Sequence, residues 1–135
     1  MTIRVLVADD QAMIRGALAG LLDLERDIEV VAQAADGAQA LDELARLASA
    51  DAPAHASAPV DVAIIDVEMP RMDGITATQA IRSRFPGVRV LIVTTFGRPG
   101  YLQRALDAGA TGFTVKDAPV ETLAEGVRTV AAGGR

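Results

Sequence analysis

Cysteine and tryptophan are absent from the sequence, and its only aromatics are three phenylalanines and one tyrosine. Without cysteine there is no disulfide framework and no thiolate metal site, a composition that suits a cytoplasmic protein. So few aromatic rings leave little to sandwich a flavin. No apolar run is long enough to cross a bilayer, and the opening MTIRVLVADD is not laid out as a signal peptide, so no membrane partner is expected. Basic residues are also in deficit: 13 Lys and Arg against 18 Asp and Glu leave a net charge of -5. An acidic domain does not hold nucleic acid electrostatically, because phosphates require Lys and Arg clustered on one face. The single histidine, His55, lies in the small, proline-containing stretch SADAPAHASAP with no partner patterned around it, and reads as solvated.

Ala, Val, Leu and Ile fill the space that the aromatics leave. Half of the 135 residues are hydrophobic and the mean hydropathy is +0.28, enough for one domain with a real core and too short for two. Apolar runs at 3–8, 28–34, 60–67, 88–95 and 112–115 read as five strands. Between them lie helical stretches: about 11–22; a helix opened by Asp36-Gly37 with Ala40, Leu41, Leu44 and Leu47 on one stripe; one capped by Asp73 and ending before Pro86-Gly87; one with Pro99 in its first turn, ending near Gly109; and one starting at Pro119 and stopping at Gly133-Gly134. Continuous apolar strands alternating with helices predict a doubly wound α/β fold, a parallel sheet with helices on both faces. Residues 49–59 break the rhythm and read as a flexible loop lengthening the connection to the third strand.

Chemistry gathers at the strand ends. In an open parallel sheet, ligands bind beyond the carboxyl ends of the strands, where the strand order reverses. The first strand ends in Asp9-Asp10, the third in Asp66 with Glu68 two places on, the fourth in Thr94-Thr95 and the fifth in Lys116. Taken singly, Asp10 could cap the following helix, Thr94 could be ordinary strand chemistry and Lys116 could face solvent. Together, at matching ends of successive strands, they read as one site. Clustered carboxylates repel, and a hard cation such as Mg²⁺, which takes oxygen ligands, relieves the repulsion. An aspartate beside it can act as a nucleophile toward phosphorus, with the ammonium of Lys116 and the hydroxyl of Thr94 meeting the charge on the transferring group.

The segments VADD (7–10), IIDVEMPRMDG (64–74), VTT (93–95) and GFTVKDAP (112–119), in this order, resemble the receiver domains of two-component response regulators. The resemblance covers nearly the whole chain, so residues 1–135 are expected to form one receiver domain. It implies five strands in the order 2-1-3-4-5. It also implies that Asp66 accepts a phosphoryl group from a sensor histidine kinase. Mg²⁺, with Mn²⁺ as a substitute, would be held by Asp66, directly by Asp10, through water by Asp9, and by the Glu68 backbone carbonyl. Thr94, Thr95 and Lys116 would meet the phosphoryl group, Phe113 would follow Thr94 as a switch, and Pro70 and Gly74 would shape the loop after Asp66. The stretch TTFGRPGYLQRALDAGATGFTVKDAP is similar to the NarL/FixJ class and most to its DesR-type members, in which a LuxR-type helix-turn-helix DNA-binding domain follows the receiver. An isolated receiver, acting on DNA only through such a domain, is therefore expected. The long 49–59 connection departs from the family pattern.

Output is expected through a homodimer. On the first helix Met13, Ala17 and Leu21 form one stripe and Ile14, Leu18 and Leu22 the next; one can face the sheet and the other a partner, or both can be core. Leu123, Val127 and Val130 on the last helix pose the same question, and Tyr101 marks a second surface. The first helix and the 117–119 loop flank Asp66 and form the expected kinase contact. Glycines in the 96–100 loop would permit rearrangement. Three other classes compete: a haloacid-dehalogenase-like aspartyl phosphatase, in which the acid pair would follow the lysine; a flavin-binding module of the same fold, which would carry a phosphate loop after the first strand; and an interaction module independent of phosphorylation.

Overall fold

Strands that are apolar without alternation need cover on both faces. The computed structural model, which describes residues 2–50, 59–94, 100–116 and 119–133, provides it. The elements follow in strict alternation: β1 (Ile3–Ala8), α1 (Ala12–Asp23), β2 (Ile28–Ala34), α2 (Gly37–Ala50), β3 (Val62–Asp66), α3 (Gly74–Arg84), β4 (Arg89–Thr94), α4 (Tyr101–Asp107), β5 (Gly112–Val115) and α5 (Val120–Ala131). All strand pairs are parallel, in the predicted order β2-β1-β3-β4-β5. The order reverses between β1 and β3, so their carboxyl ends open a crevice side by side.

Alternate residues of each strand point to opposite faces and seed two cores. On one face Leu6, Ala63, Ile65 and Ile92 pack with Leu44 of α2, Ile75 and Ile81 of α3 and Ala105 of α4. On the other Val5, Val7, Ile64, Leu91 and Val93 pack with Leu22 of α1 and Leu123, Val127 and Val130 of α5. These three α5 residues are at most 5% exposed. They are core residues and not the docking surface that their spacing also allowed. The stripe of Met13, Ala17 and Leu21 on α1 faces outward.

Helix ends follow local chemistry. Asp73 caps α3 as predicted, its Oδ1 accepting from the Thr76 N–H at 2.8 Å. The last turn of α5 closes before Gly133, whose φ of 89° suits glycine. Among the described residues α4 runs from Tyr101, after Gly100 in the left-handed region; Pro99 lies outside them. α2 runs to Ala50, so helix replaces loop at the start of the 49–59 stretch; His55 lies outside the described residues. β3 begins at Val62, later than the predicted start at 60, although the main chain of Asp61 already bonds to Arg4 of β1 and Arg89 of β4. A fork from Arg128 to Glu25 and Asp27 ties α5 to the α1–β2 corner and holds the Asp27 carboxyl below its usual pKa. Partly exposed as it is, the fork orients the helix more than it stabilises it.

Gly74 marks the tightest packing near the crevice. A Cβ there would collide with the Asp66 carbonyl oxygen and lie 2.8 Å from Val67 Cα. On α1, Gly16 has nothing within 4 Å of such an atom. Urea unfolding is expected to show Gly74→Ala destabilised by about 1–3 kcal/mol and Gly16→Ala stabilised by up to about 1 kcal/mol.

Candidate functional site

Five of the groups singled out in the sequence meet at the carboxyl edge of the sheet. Asp66 is the last residue of β3, Thr94 the last of β4, and Asp9 and Asp10 follow β1. Lys116 follows β5, its N–H donating to the Thr94 carbonyl at 2.8 Å. Oxygens of Asp9, Asp10 and Asp66 all lie within 4.8 Å of one another. Asp10, Gln11, Asp66, Glu68, Thr94 and Lys116 line a cavity of about 170 Å³ there.

The three acids have different surroundings. Asp9 is buried and both its oxygens are engaged: Oδ1 accepts from the Gln11 N–H at 2.9 Å and Oδ2 meets Lys116 Nζ at 2.8 Å. Its carbonyl accepts from the Arg15 guanidinium at 2.8 Å. Asp10 is exposed and does not cap α1, whose N-cap position is Gln11. Asp66 is 4% exposed, with Lys116 Nζ 3.3 Å from its Oδ2. Burial pushes the Asp66 carboxyl up to about 6; Lys116 opposes the rise, while the charges of Asp9 and Asp10 add to it. Burial alone would lower the Lys116 ammonium, but its hydrogen bond to Asp9 and the charges of Asp66 and Asp9 raise it above its usual value. This all-oxygen donor set suits a hard divalent cation.

The remaining predicted residues surround this cluster. Glu68 is exposed at the cavity and Pro70 at the outer bend of its loop, which Gly74 closes by donating its N–H to the Val67 carbonyl at 2.8 Å. Phe113 is half-buried and stands opposite Ile92 in the β4–β5 register. Ile92 and Thr94 share one face of β4, so Phe113 and Thr94 lie on the same side of the sheet. Met13 is 88% exposed, with Ala17 and Leu21 beside it. Thr95, the loop at 96–99, residues 117 and 118 and the side chain of Tyr101 lie outside the described residues. Gln11 and Arg15 were missed by sequence reasoning. Their contacts run through the Asp9 turn; the only signal was that Gln11 directly follows the acid pair and that Arg15 lies one helical turn beyond it.

A carboxyl whose pKa is raised on folding is held protonated more tightly by the native state. The stability it confers is present at low pH and lost as pH rises from about 4 to about 6. Urea unfolding in the presence of a chelator is therefore expected to show Asp66→Asn matching the wild type near pH 4. By pH 7 it should exceed the wild type by up to about 3 kcal/mol. A difference that stays flat with pH would contradict the assigned environment.

Residues 5–128 match the response regulator receiver domain family. The chain is 40% identical over 133 residues to the transcriptional regulatory protein DesR of Bacillus subtilis, across 98% of this chain and 60% of DesR. It spans about 60% of the length of the curated relatives it matches. A LuxR-family two-component response regulator from Aurantimonas sp. SI85-9A1 superposes with a TM-score of 0.85 at 28% identity, over 100% of this chain and 89% of that one. A chain of the CheX-CheY-BeF3-Mg²⁺ complex from Borrelia burgdorferi does so with a TM-score of 0.79 at 25% identity, over 95% and 88%. The sheet order, the acid cluster between β1 and β3 and this family match agree: the chain belongs to the response regulator receiver domains, the phosphoacceptor modules of two-component signalling.

Proposed function

We propose that Asp66 is the phosphoacceptor and that a cognate histidine kinase is the donor. The supporting observation is the division of labour among the three acids. Asp9 has both oxygens committed and Asp10 sits in solvent, whereas Asp66 is buried at the cavity with Lys116 as its described partner. In the transfer, an Asp66 carboxylate oxygen forms a bond to phosphorus as the bond from phosphorus to the donor nitrogen breaks. The imidazole leaves with that electron pair and takes up a proton. Lys116 Nζ, already beside Asp66, meets the charge on the phosphoryl oxygens, and the Thr94 hydroxyl is placed to take a further one. Asp10, Asp66 and the Glu68 carbonyl would hold Mg²⁺ directly, with Asp9 acting through water. When bound, the cation supplies charge neutralisation to both carboxylate and phosphoryl oxygens. Support for the metal comes from the all-oxygen cluster and from the similar chain of the Borrelia burgdorferi complex, described as containing BeF3 and Mg²⁺.

The switch runs from Thr94 to Phe113. Drawing the Thr94 hydroxyl toward a phosphoryl oxygen opens space on the face that Phe113 shares, and the phosphorylated state gains population by whatever that arrangement binds better. Output is a homodimer formed through the exposed α1 stripe, and the start of α1, directly after Asp10 and Gln11, serves the kinase. In a longer cytoplasmic regulator of the DesR kind, dimerisation would act on transcription through a DNA-binding domain, since DesR is a transcriptional regulatory protein.

Intact mass after incubation with acetyl phosphate is expected to show one phosphoryl adduct that requires Mg²⁺ and is absent in Asp66→Asn. Lys116→Met is expected to slow adduct formation by about a hundredfold. No adduct from a folded wild type would remove Asp66 from this role. Sedimentation of the phosphorylated chain is expected to show a dimer that Met13→Glu and Leu21→Glu abolish; a strictly monomeric phosphorylated chain at high concentration would rule the dimer out.

A further inference from the structure

Arg71 is the only non-glycine residue with positive φ among the described residues, at 63°. It is the centre of a γ-turn in which the Met72 N–H donates to the Pro70 carbonyl at 2.6 Å. A turn of this hand is strained for a residue carrying a Cβ and persists only where its surroundings enforce it. Two contacts do so. The Arg71 guanidinium donates through Nε to Asp36 Oδ2 at 2.8 Å, and a second arm of the fork reaches the same oxygen. The Met72 carbonyl accepts from the Gly37 N–H at 3.2 Å. A Cβ on Gly37 would lie 2.7 Å from that carbonyl oxygen, so only glycine allows the approach.

Asp36 is an unusual partner for a surface arginine, since it is 0% exposed. Its other oxygen accepts from the Gln39 N–H at 2.8 Å, and this bond, with Arg71, keeps its carboxyl below the usual pKa despite burial. Neither Asp36 nor Arg71 lines the acid cavity. The loop they restrain does: it leaves β3 at Val67, carries Glu68 on the cavity wall and returns at Gly74.

We propose that Arg71 and Asp36 are a positioning pair for the divalent cation. The pair clamps the 67–74 loop onto the start of α2 and so fixes the Glu68 carbonyl relative to Asp66 and Asp10. This rests on the reading of those three groups as the cation site. A guanidinium fork on a carboxylate is directional in a way that a lysine ammonium is not. Groups that orient a ligand without touching the metal commonly set its affinity.

The test is Mn²⁺ titration followed by the electron paramagnetic resonance signal of the free ion, with Mg²⁺ in competition. Arg71 points into solvent along most of its length, so its variants are expected to fold. Arg71→Ala is expected to weaken Mn²⁺ binding by about tenfold, and Arg71→Lys to recover only part of that loss. Adding Asp36→Asn to Arg71→Ala is expected to cost nothing more, as for two residues acting as one unit. Amide exchange at Gly74 is expected to quicken in the same variants. Arg71→Gly separates the ion pair from the strained backbone, because glycine adopts this φ freely. It is expected to bind as weakly as Arg71→Ala, and wild-type affinity in Arg71→Gly would overturn the proposal. Unchanged affinity in Arg71→Ala, with the wild type binding normally, would overturn it and leave the cation site intact. A wild type that binds no Mn²⁺ would remove both.

Discussion

Mutual repulsion of three carboxylates is the constraint that this domain is built around. At separations within 4.8 Å, each pair of charges opposes the other by about 3–4 kcal/mol at an effective dielectric near 20. The fold tolerates this by treating the three acids unequally. Asp9 is neutralised from inside by Lys116 and the Gln11 N–H, Asp10 is left to water, and Asp66 has a pKa raised first by its burial and then further by the two neighbouring charges. A site in that condition binds cationic or electrophilic species favourably because each relieves an existing cost.

Such a site needs rigid support, and the two cores supply it from opposite sides. β1 and β3 are clamped between α1 and α5 on one face and α2, α3 and α4 on the other. Asp66 and Thr94 therefore emerge from strands whose neighbours are almost wholly buried, while Glu68 and Lys116 stand on short segments just beyond. The strands set Asp66 and Thr94, while the clamped 67–74 loop sets Glu68 and the segment after β5 sets Lys116.

Most of this was legible in the sequence. The five strands stood out because apolar runs buried on both faces carry no competing pattern, and Asp66, Asp10, Thr94 and Lys116 stood out because charge and hydroxyl at a strand tip have no place in a core. Other features were hidden for physical reasons. Helical spacing shows that Leu123, Val127 and Val130 form a stripe but not which side is covered; only the packing against Leu91 and Val93 decides it. The partnership of Asp36 with Arg71 joins residues 35 apart through a turn whose hand no periodicity encodes. Asp36 stood out only as the opening of a helix; the structure shows that it caps that helix through one oxygen, accepting from the Gln39 N–H, and holds the arginine with the other.

The connection between α2 and β3 leaves Ala50 and re-enters at the amino end of β3, the full length of the strand away from Asp66. Loop-closure entropy grows only slowly with length, so chain added at such a place changes folding free energy little. The position is thus a natural port for engineering: a fluorophore, an epitope or a whole reporter domain could be spliced there while every group at the opposite edge of the sheet keeps its neighbours.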